Sequence, residues 1–311
     1  MTMSKKGGPK LGWLLNTQKG LNVLKALVAR ERPQVSLVVS YDDPNTSENS
    51  LSEIESLCQQ HDIAFESWSE FKRRGRLGIV ERNLEGLVAV GWQYLLPEDY
   101  WRSLPNRLIV FHDSLLPRYR GFAPVATGMI KGDTEFGLSV LFAGEGIDDG
   151  DLILQKSMTI GKQAYMADAI DIIGQAYADA AVELCDRMDD GPVPSLPQDH
   201  GQATYSIWRG PEDCRIDWRQ SAEEIRDLIR AVSSPLPGAF TLLGGAPFRV
   251  WRAELITEDL RFEIRDHGKI WSLDGGCPVI VCGSGLLKLT RITTEDGGEG
   301  LPITRLRQRF Q

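Results

Sequence analysis

The run Leu108-Ile109-Val110-Phe111, closing on His112 and followed by Pro117 and Gly121, constrains this chain more than any other stretch. Consecutive apolar residues bounded by breakers read as a strand buried on both faces of a parallel sheet. His112 then falls at the carboxyl end of a central strand, where open α/β sheets hold their ligands. The remaining sequence has to supply a sheet around that strand.

It does so in order. Leu11–Leu15 is a short apolar run, Leu21, Leu24, Leu27 and Val28 predict a helix over Gly20–Arg30, and Gln34–Ser40 reads as a second strand, which together make a βαβ unit. The intervening Asn16-Thr17-Gln18-Lys19-Gly20 lacks the glycine pattern that brings backbone against a pyrophosphate, so no dinucleotide site is read there. Asp42–Ser50 is polar and turn-prone, Leu51–His61 predicts a helix and Ile63–Trp68 a strand. Leu87–Val90 is another buried run, ending at Gly91 before the aromatic loop Trp92-Gln93-Tyr94-Leu95-Leu96. Gly137–Phe142 and Leu152–Met158 alternate as strands around the acidic turn Gly144–Asp151, and alanine-rich Met166–Met188 predicts a long closing helix.

A chain of 311 residues, 42% hydrophobic, suits two domains. Asp, Gly, Pro, Ser and Gln dominate after Asp189, so residues 189–206 read as an interdomain linker. Beyond it come one helix, Ala222–Ala231, and short runs at Ala239–Leu243, Phe248–Arg252, Pro278–Cys282 and Leu286–Ile292 separated by glycine turns. That is the pattern of a small β-barrel-like, OB-type domain with an accessory helix. The expected organisation is a disordered leader over 1–9, a Rossmann-like α/β catalytic domain with a mostly parallel sheet over 10–188, the linker, and the barrel-like domain over 207–311.

Other classes are disfavoured. No apolar run approaches the roughly 20 residues that span a bilayer, and the amino end MTMSKKGGPK has no apolar segment of secretory-signal length. Cys58, Cys185, Cys214, Cys277 and Cys282 are odd in number and scattered, without metal spacing, which points to a reducing cytoplasm and to no metal. The net charge of −8 argues against broad binding to nucleic-acid phosphates.

His112–Gly121, reading HDSLLPRYRG, together with Gly146–Asp151, reading GIDDGD, resembles the folate-dependent formyltransferase family, whose members carry Asn-x-His-x-Ser-Leu-Leu-Pro and a later Asp-x-Gly. The second module is similar to the carboxyl-terminal domain of methionyl-tRNA and amino-sugar formyltransferases, through Ile216-Asp217-Trp218 and Pro237-Gly238-Ala239-Phe240.

The resemblance implies 10-formyltetrahydrofolate as cosubstrate and a site that handles an oxyanion and a cationic nitrogen during transfer to an amine. It implies His112 as hydrogen-bond donor or proton shuttle, and Asp148 as the carboxylate that sets its charge and organises a water. Register, two residues before Gly150, selects Asp148 over Asp149. Trp92, Gln93, Tyr94 and Leu95, with Ile147 and Asp148, are implied to cradle the folate. Ser114, Arg118, Tyr119 and Arg120 are implied to face the acceptor. Val110 departs from the pattern by standing where the family has its asparagine. An aliphatic side chain cannot donate to an oxyanion, and loss of one such donor elsewhere costs about 10²–10³ in turnover. The hydrolase domain of 10-formyltetrahydrofolate dehydrogenase is similar in having an aliphatic residue there.

Several acceptors suit such a site. Residues 207–311 carry 15 Lys plus Arg against 15 Asp plus Glu, so the second module lacks the net positive charge of a tRNA grip. The wording FHDSLLPRYRGF, with Phe111 and Asp113 flanking the histidine, resembles amino-sugar formyltransferases more closely. A nucleotide-linked amino sugar is therefore the expected acceptor. Hydrolysis of the folate donor, transfer to methionyl-tRNA, and a weakly active binding paralogue are the alternatives, and a homodimer is left open.

Overall fold

A computed structural model describes residues 8–42, 50–258 and 260–311. Most of the expected leader and of the turn-prone Asp42–Ser50 lies outside the described residues. The chain divides into two compact units, one of residues up to Gly121, Phe136–Met158 and Asp171–Tyr205, the other of Phe122–Glu135, Thr159–Ile170 and Ser206–Gln311.

In chain order the elements are β1 (Leu11–Leu15), α1 (Thr17–Val28), β2 (Leu37–Ser40), α2 (Leu51–Gln60), β3 (Ala64–Ser67), α3 (Trp68–Glu81), β4 (Gly86–Val90), α4 (Glu98–Trp101), β5 (Leu108–His112), β6 (Arg120–Gly121), α5 (Pro124–Ile130), β7 (Glu135–Phe142), β8 (Leu152–Thr159) and α6 (Met166–Asp189). They are followed by β9 (Tyr205–Ser206), α7 (Ala222–Ala231), β10 (Ala239–Leu243), β11 (Ala246–Ile256), β12 (Ile270–Asp274), β13 (Cys277–Val281) and β14 (Leu286–Thr294).

The first unit is built on a seven-stranded sheet of order β3-β2-β1-β4-β5-β7-β8. β1 pairs in parallel with β2 and β4, β2 with β3, and β4 with β5, whereas β5 and β7 run antiparallel. β1 and β4 are buried at every residue, as strands covered on both faces must be. α1 buries Leu21, Leu24 and Leu27, the helical stripe visible in the sequence. Strand order reverses between β1 and β4, and there the turn after β1 presses against the turn after β4. A Cβ at Gly91, whose φ is 60°, would lie 2.5 Å from the Asn16 carbonyl oxygen, so glycine is required.

The second unit holds a five-stranded antiparallel sheet of order β10-β11-β14-β13-β12. Phe310 bridges Leu243 at one edge and Arg309 bridges Lys269 beside the other, so the last residues close the sheet in the manner of a barrel. α7 starts at a capping box in which Ser221 and Glu224 satisfy each other's backbone N–H groups. It buries Ile225 and Ile229 among Trp218, Ile280, Leu287, Leu289 and Ile292. Arg230 on the same helix is wholly buried, held by Asp227 and donating to the carbonyls of Met129 and Ala164. A buried guanidinium is tolerable only with such partners. Among the described residues no helix is long and apolar enough to cross a membrane, and no group of three His, Cys, Asp or Glu could hold a metal ion.

Candidate active site

β5 delivers His112 to the carboxyl edge of the first unit's sheet. Side chains alternate along a strand, so Val110 and His112 share one face while Phe111 and Asp113 share the other. The loop after β5 is pinned from within. Ser114 Oγ donates to the Arg118 carbonyl at 2.6 Å, Ser139 Oγ donates to the Ser114 carbonyl at 2.6 Å, and Gln155 Nε2 donates to the Leu116 carbonyl at 3.0 Å. Tyr119 takes a left-handed backbone, φ 57°, which turns its carbonyl back to His112.

His112 is 7% exposed, and its Nε2 lies 2.8 Å from that carbonyl oxygen. A carbonyl only accepts, so Nε2 carries the proton and Nδ1 is the nitrogen free to exchange one. Nδ1 faces Asp148 Oδ2 at 3.4 Å. The same oxygen accepts the Gly121 N–H at 2.9 Å. Asp148 is itself left-handed, φ 49°, in the turn between β7 and β8. Gly150 permits that turn, because a Cβ there would meet the Phe142 carbonyl oxygen at 1.9 Å. Asp149 is turned into the loop, where its Oδ2 accepts the Gly146 N–H at 3.0 Å.

Across the sheet lies a charged cluster that sequence reasoning missed. Asp113 accepts from Lys19 and, at 2.5 Å, from the Tyr177 hydroxyl. Burial alone would push the Asp113 carboxyl up, but the Lys19 ammonium and the hydrogen bonds from Lys19 and Tyr177 hold it below the usual carboxylate range. Burial and the Asp113 charge push the Tyr177 hydroxyl well above the tyrosine range, so it remains a donor. Asp113 stood inside the motif, but its partners come from α1 and α6, and nothing local announces them.

The remaining predicted residues fall in different places. Val110 and Trp92 pack with the cluster of Leu14, Tyr41, Trp68 and Leu87. The Trp92 indole nitrogen is buried with no partner among the described residues. Gln93 and Tyr94 are exposed, Leu95 is 97% exposed and Ile147 59%. Arg102 donates to Glu98 and to Glu145, which ties the loop after β4 to the turn carrying Ile147 and Asp148. Arg118 is exposed with its guanidinium 5.1 Å from the Tyr119 ring centroid. Ser114 and Arg120 differ from the expectation that they face an acceptor. Ser114 is 4% exposed and committed to the Arg118 carbonyl. Arg120 is 3% exposed, and its guanidinium binds Gln198 Oε1 and His200 Nδ1. A buried guanidinium turns to acceptors that satisfy it, here within the stretch read as a linker.

The family model described as formyl transferase matches residues 17–183, and that described as formyl transferase, C-terminal domain, matches residues 210–303. The methionyl-tRNA formyltransferase of Carboxydothermus hydrogenoformans is 36% identical over 171 residues, 55% of this chain and 55% of that one. That of Coxiella burnetii is 29% identical over 278 residues, 88% of this chain and 87% of that one. A solved N-formyltransferase of Helicobacter canadensis, in complex with folinic acid and dTDP-3-aminofucose, matches with a TM-score of 0.67 at 15% identity, covering 90% of this chain and 98% of that one. At that identity the likeness is one of fold.

Proposed function

Because the chain belongs to the formyl transferase family, we propose that it moves a formyl group from 10-formyltetrahydrofolate to the amine of a nucleotide-linked amino sugar in the cytoplasm. The observation that carries the reading is the approach of His112 Nδ1 to Asp148 Oδ2 at 3.4 Å beside a fixed Nε2–H. The folate donor supplies an activated formyl group. Acyl transfer to an amine leaves a proton on the attacking nitrogen that must be removed. Nδ1 of His112 takes that proton, the Asp148 carboxylate stabilises the imidazolium, and the same Nδ1–H can then return it to the departing nitrogen. The Tyr119 carbonyl keeps the ring from turning while this happens.

The exposed Leu95 and Ile147 and the unpartnered Trp92 indole N–H suit a flat, partly polar ring system, so these residues with Gln93 and Tyr94 would hold the folate. Arg118 and Tyr119 are the side chains of the motif loop suited to an anionic acceptor. The five free cysteines agree with a reducing compartment. The overall charge of −8 favours a small acceptor over tRNA.

Val110 favours a second reading, hydrolysis of the donor, because no side-chain donor stands two residues before His112. The test is incubation with 10-formyltetrahydrofolate and, in parallel, nucleotide-linked amino sugars, methionyl-tRNA, or no amine, followed by mass spectrometry. Formylation of an amino sugar with little free formate is expected. Rapid formate release without amine would replace transfer by hydrolysis, and formylation of methionyl-tRNA alone would move the acceptor to tRNA.

A further inference from the structure

We propose that Gln198 is a positioning residue for the reaction at His112, acting through Asp148; the inference rests on the reading of the His112–Asp148 pair as the reacting groups. The reason starts with the backbone. Asp148 holds φ 49°, a left-handed conformation that a non-glycine residue keeps when its neighbours fix it. Its carboxylate accepts the Gly121 N–H. The turn itself is restrained by Gln198. One amide nitrogen, Nε2, donates to both the Asp148 carbonyl at 2.9 Å and the Gly150 carbonyl at 2.7 Å.

The orientation of that amide is not arbitrary. Its Oε1 faces Arg120, accepting from Nε at 3.2 Å and Nη2 at 2.7 Å. A guanidinium can only donate, so the oxygen must lie on that side and the NH₂ group must face the two carbonyls. Gln198 is 6% exposed, so water does not substitute for these partners. Arg120 is also the residue before Gly121, whose N–H holds the Asp148 carboxylate. The Arg120–Gln198 brace therefore grips both sides of one contact: the backbone that presents the carboxylate and the backbone that receives it. Nothing in Gln198 reaches the reacting atoms; its effect is on where Asp148 Oδ2 sits.

Gln198→Glu keeps length and strengthens the Arg120 contact, but turns the donor into an acceptor facing two carbonyls. Gln198→Met removes the donor without adding charge, and serves where the first variant does not fold. Either is expected to lower kcat about tenfold or more with a smaller change in the KM for the folate, since displacement of a reacting group by about 1 Å can cost up to 10² in rate. Added to Asp148→Asn, neither should lower kcat further, because both act on one element. Amide hydrogen exchange gives a readout that needs no substrate: the Gly121 N–H should lose protection in the Gln198 variants while β1 and β4 keep theirs. Full loss of Gly121 protection with wild-type transfer would sink the reading of the pair as reacting groups. Retained protection, or additive losses of kcat with Asp148→Asn, would overturn the role of Gln198.

Discussion

Asp148→Asn isolates the charge of the proposed proton-handling pair. Asparagine is the same size, tolerates the left-handed backbone as well as aspartate does, and its side-chain oxygen can still accept the Gly121 N–H. Folding stability should therefore change by less than about 1 kcal/mol, a shift of a few degrees in Tm. The negative charge 3.4 Å from His112 Nδ1 is lost, however. At that separation and an effective dielectric of about 20, a carboxylate and an imidazolium attract by about 5 kcal/mol. Asp148 is 19% exposed, so solvent reduces the figure, and a loss of about 10²–10⁴ in turnover is expected, the usual reach of general acid–base catalysis. Steady-state formyl transfer at saturating donor and acceptor measures kcat, and thermal unfolding measures the control. Wild-type turnover in a folded Asp148→Asn protein would refute the assignment, as would an effect confined to the acceptor KM.

Gly150→Ala places a Cβ 1.9 Å from the Phe142 carbonyl, a backbone atom at the end of β7, so thermal stability and turnover should fall together, by about 3 kcal/mol or more in stability; an unchanged Tm would show the turn to be pliable. Asp113→Asn leaves the Lys19 ammonium without its anion and should cost about 1–3 kcal/mol in urea unfolding at neutral pH. The Asp113 pKa is depressed in the folded chain, so its contribution is present above the unfolded value and fades as pH falls below it; wild type and variant should converge in acid, and a pH-independent gap would count against the ion pair. Val110→Asn should raise turnover if only a donor is missing, and lower it if the cluster around Trp92 needs the aliphatic group. Burial pushes Cys58 up to about 11 and Cys185 and Cys282 up to about 12, and raises Cys214 as well, so half-buried Cys277 should be the one thiol to react quickly in the native protein at mildly alkaline pH. Rapid native labelling of Cys185 would contradict the packing around α6.

What the sequence announced depended on pattern length. β5 was legible because an unbroken apolar run bounded by breakers marks a strand covered on both faces, and α7 because Ser221 and Glu224 mark its start and its apolar residues recur at helical spacing. α3 carries an equally clear start in Ser67 and Glu70, yet few of its residues face the core, chiefly Trp68, Phe71 and Ile79, among many charges and across a break at Gly75. No periodic stripe therefore stood out. α5 is seven residues long and begins after a left-handed Ala123, too short to show a period. Closure of the second sheet runs through the short terminal stretch Gln308–Gln311, whose isolated bridges to Lys269 and Leu243 leave no alternation to read.

The site divides along the same line. His112 and Asp148, the pair proposed to handle the proton, were legible because each sits in a contiguous motif, but what holds them together is non-local. The Tyr119 carbonyl fixes the ring, the Gly121 N–H fixes the carboxylate, and Gln198 reaches the turn from 50 residues away, in a stretch whose composition read as a linker. Arg120 illustrates the consequence: from sequence it was implied to face the acceptor, and in the fold its guanidinium is buried against the Gln198 amide oxygen. Three left-handed non-glycine residues, Tyr119, Ala123 and Asp148, flank this region, and such conformations survive only where hydrogen bonds overdetermine them. A chain could therefore keep both motifs and still misplace the carboxylate, for instance by losing Gly150 or the amide of Gln198. The motifs supply the two groups proposed to react, and the proposed brace sets whether they stand within reach of each other.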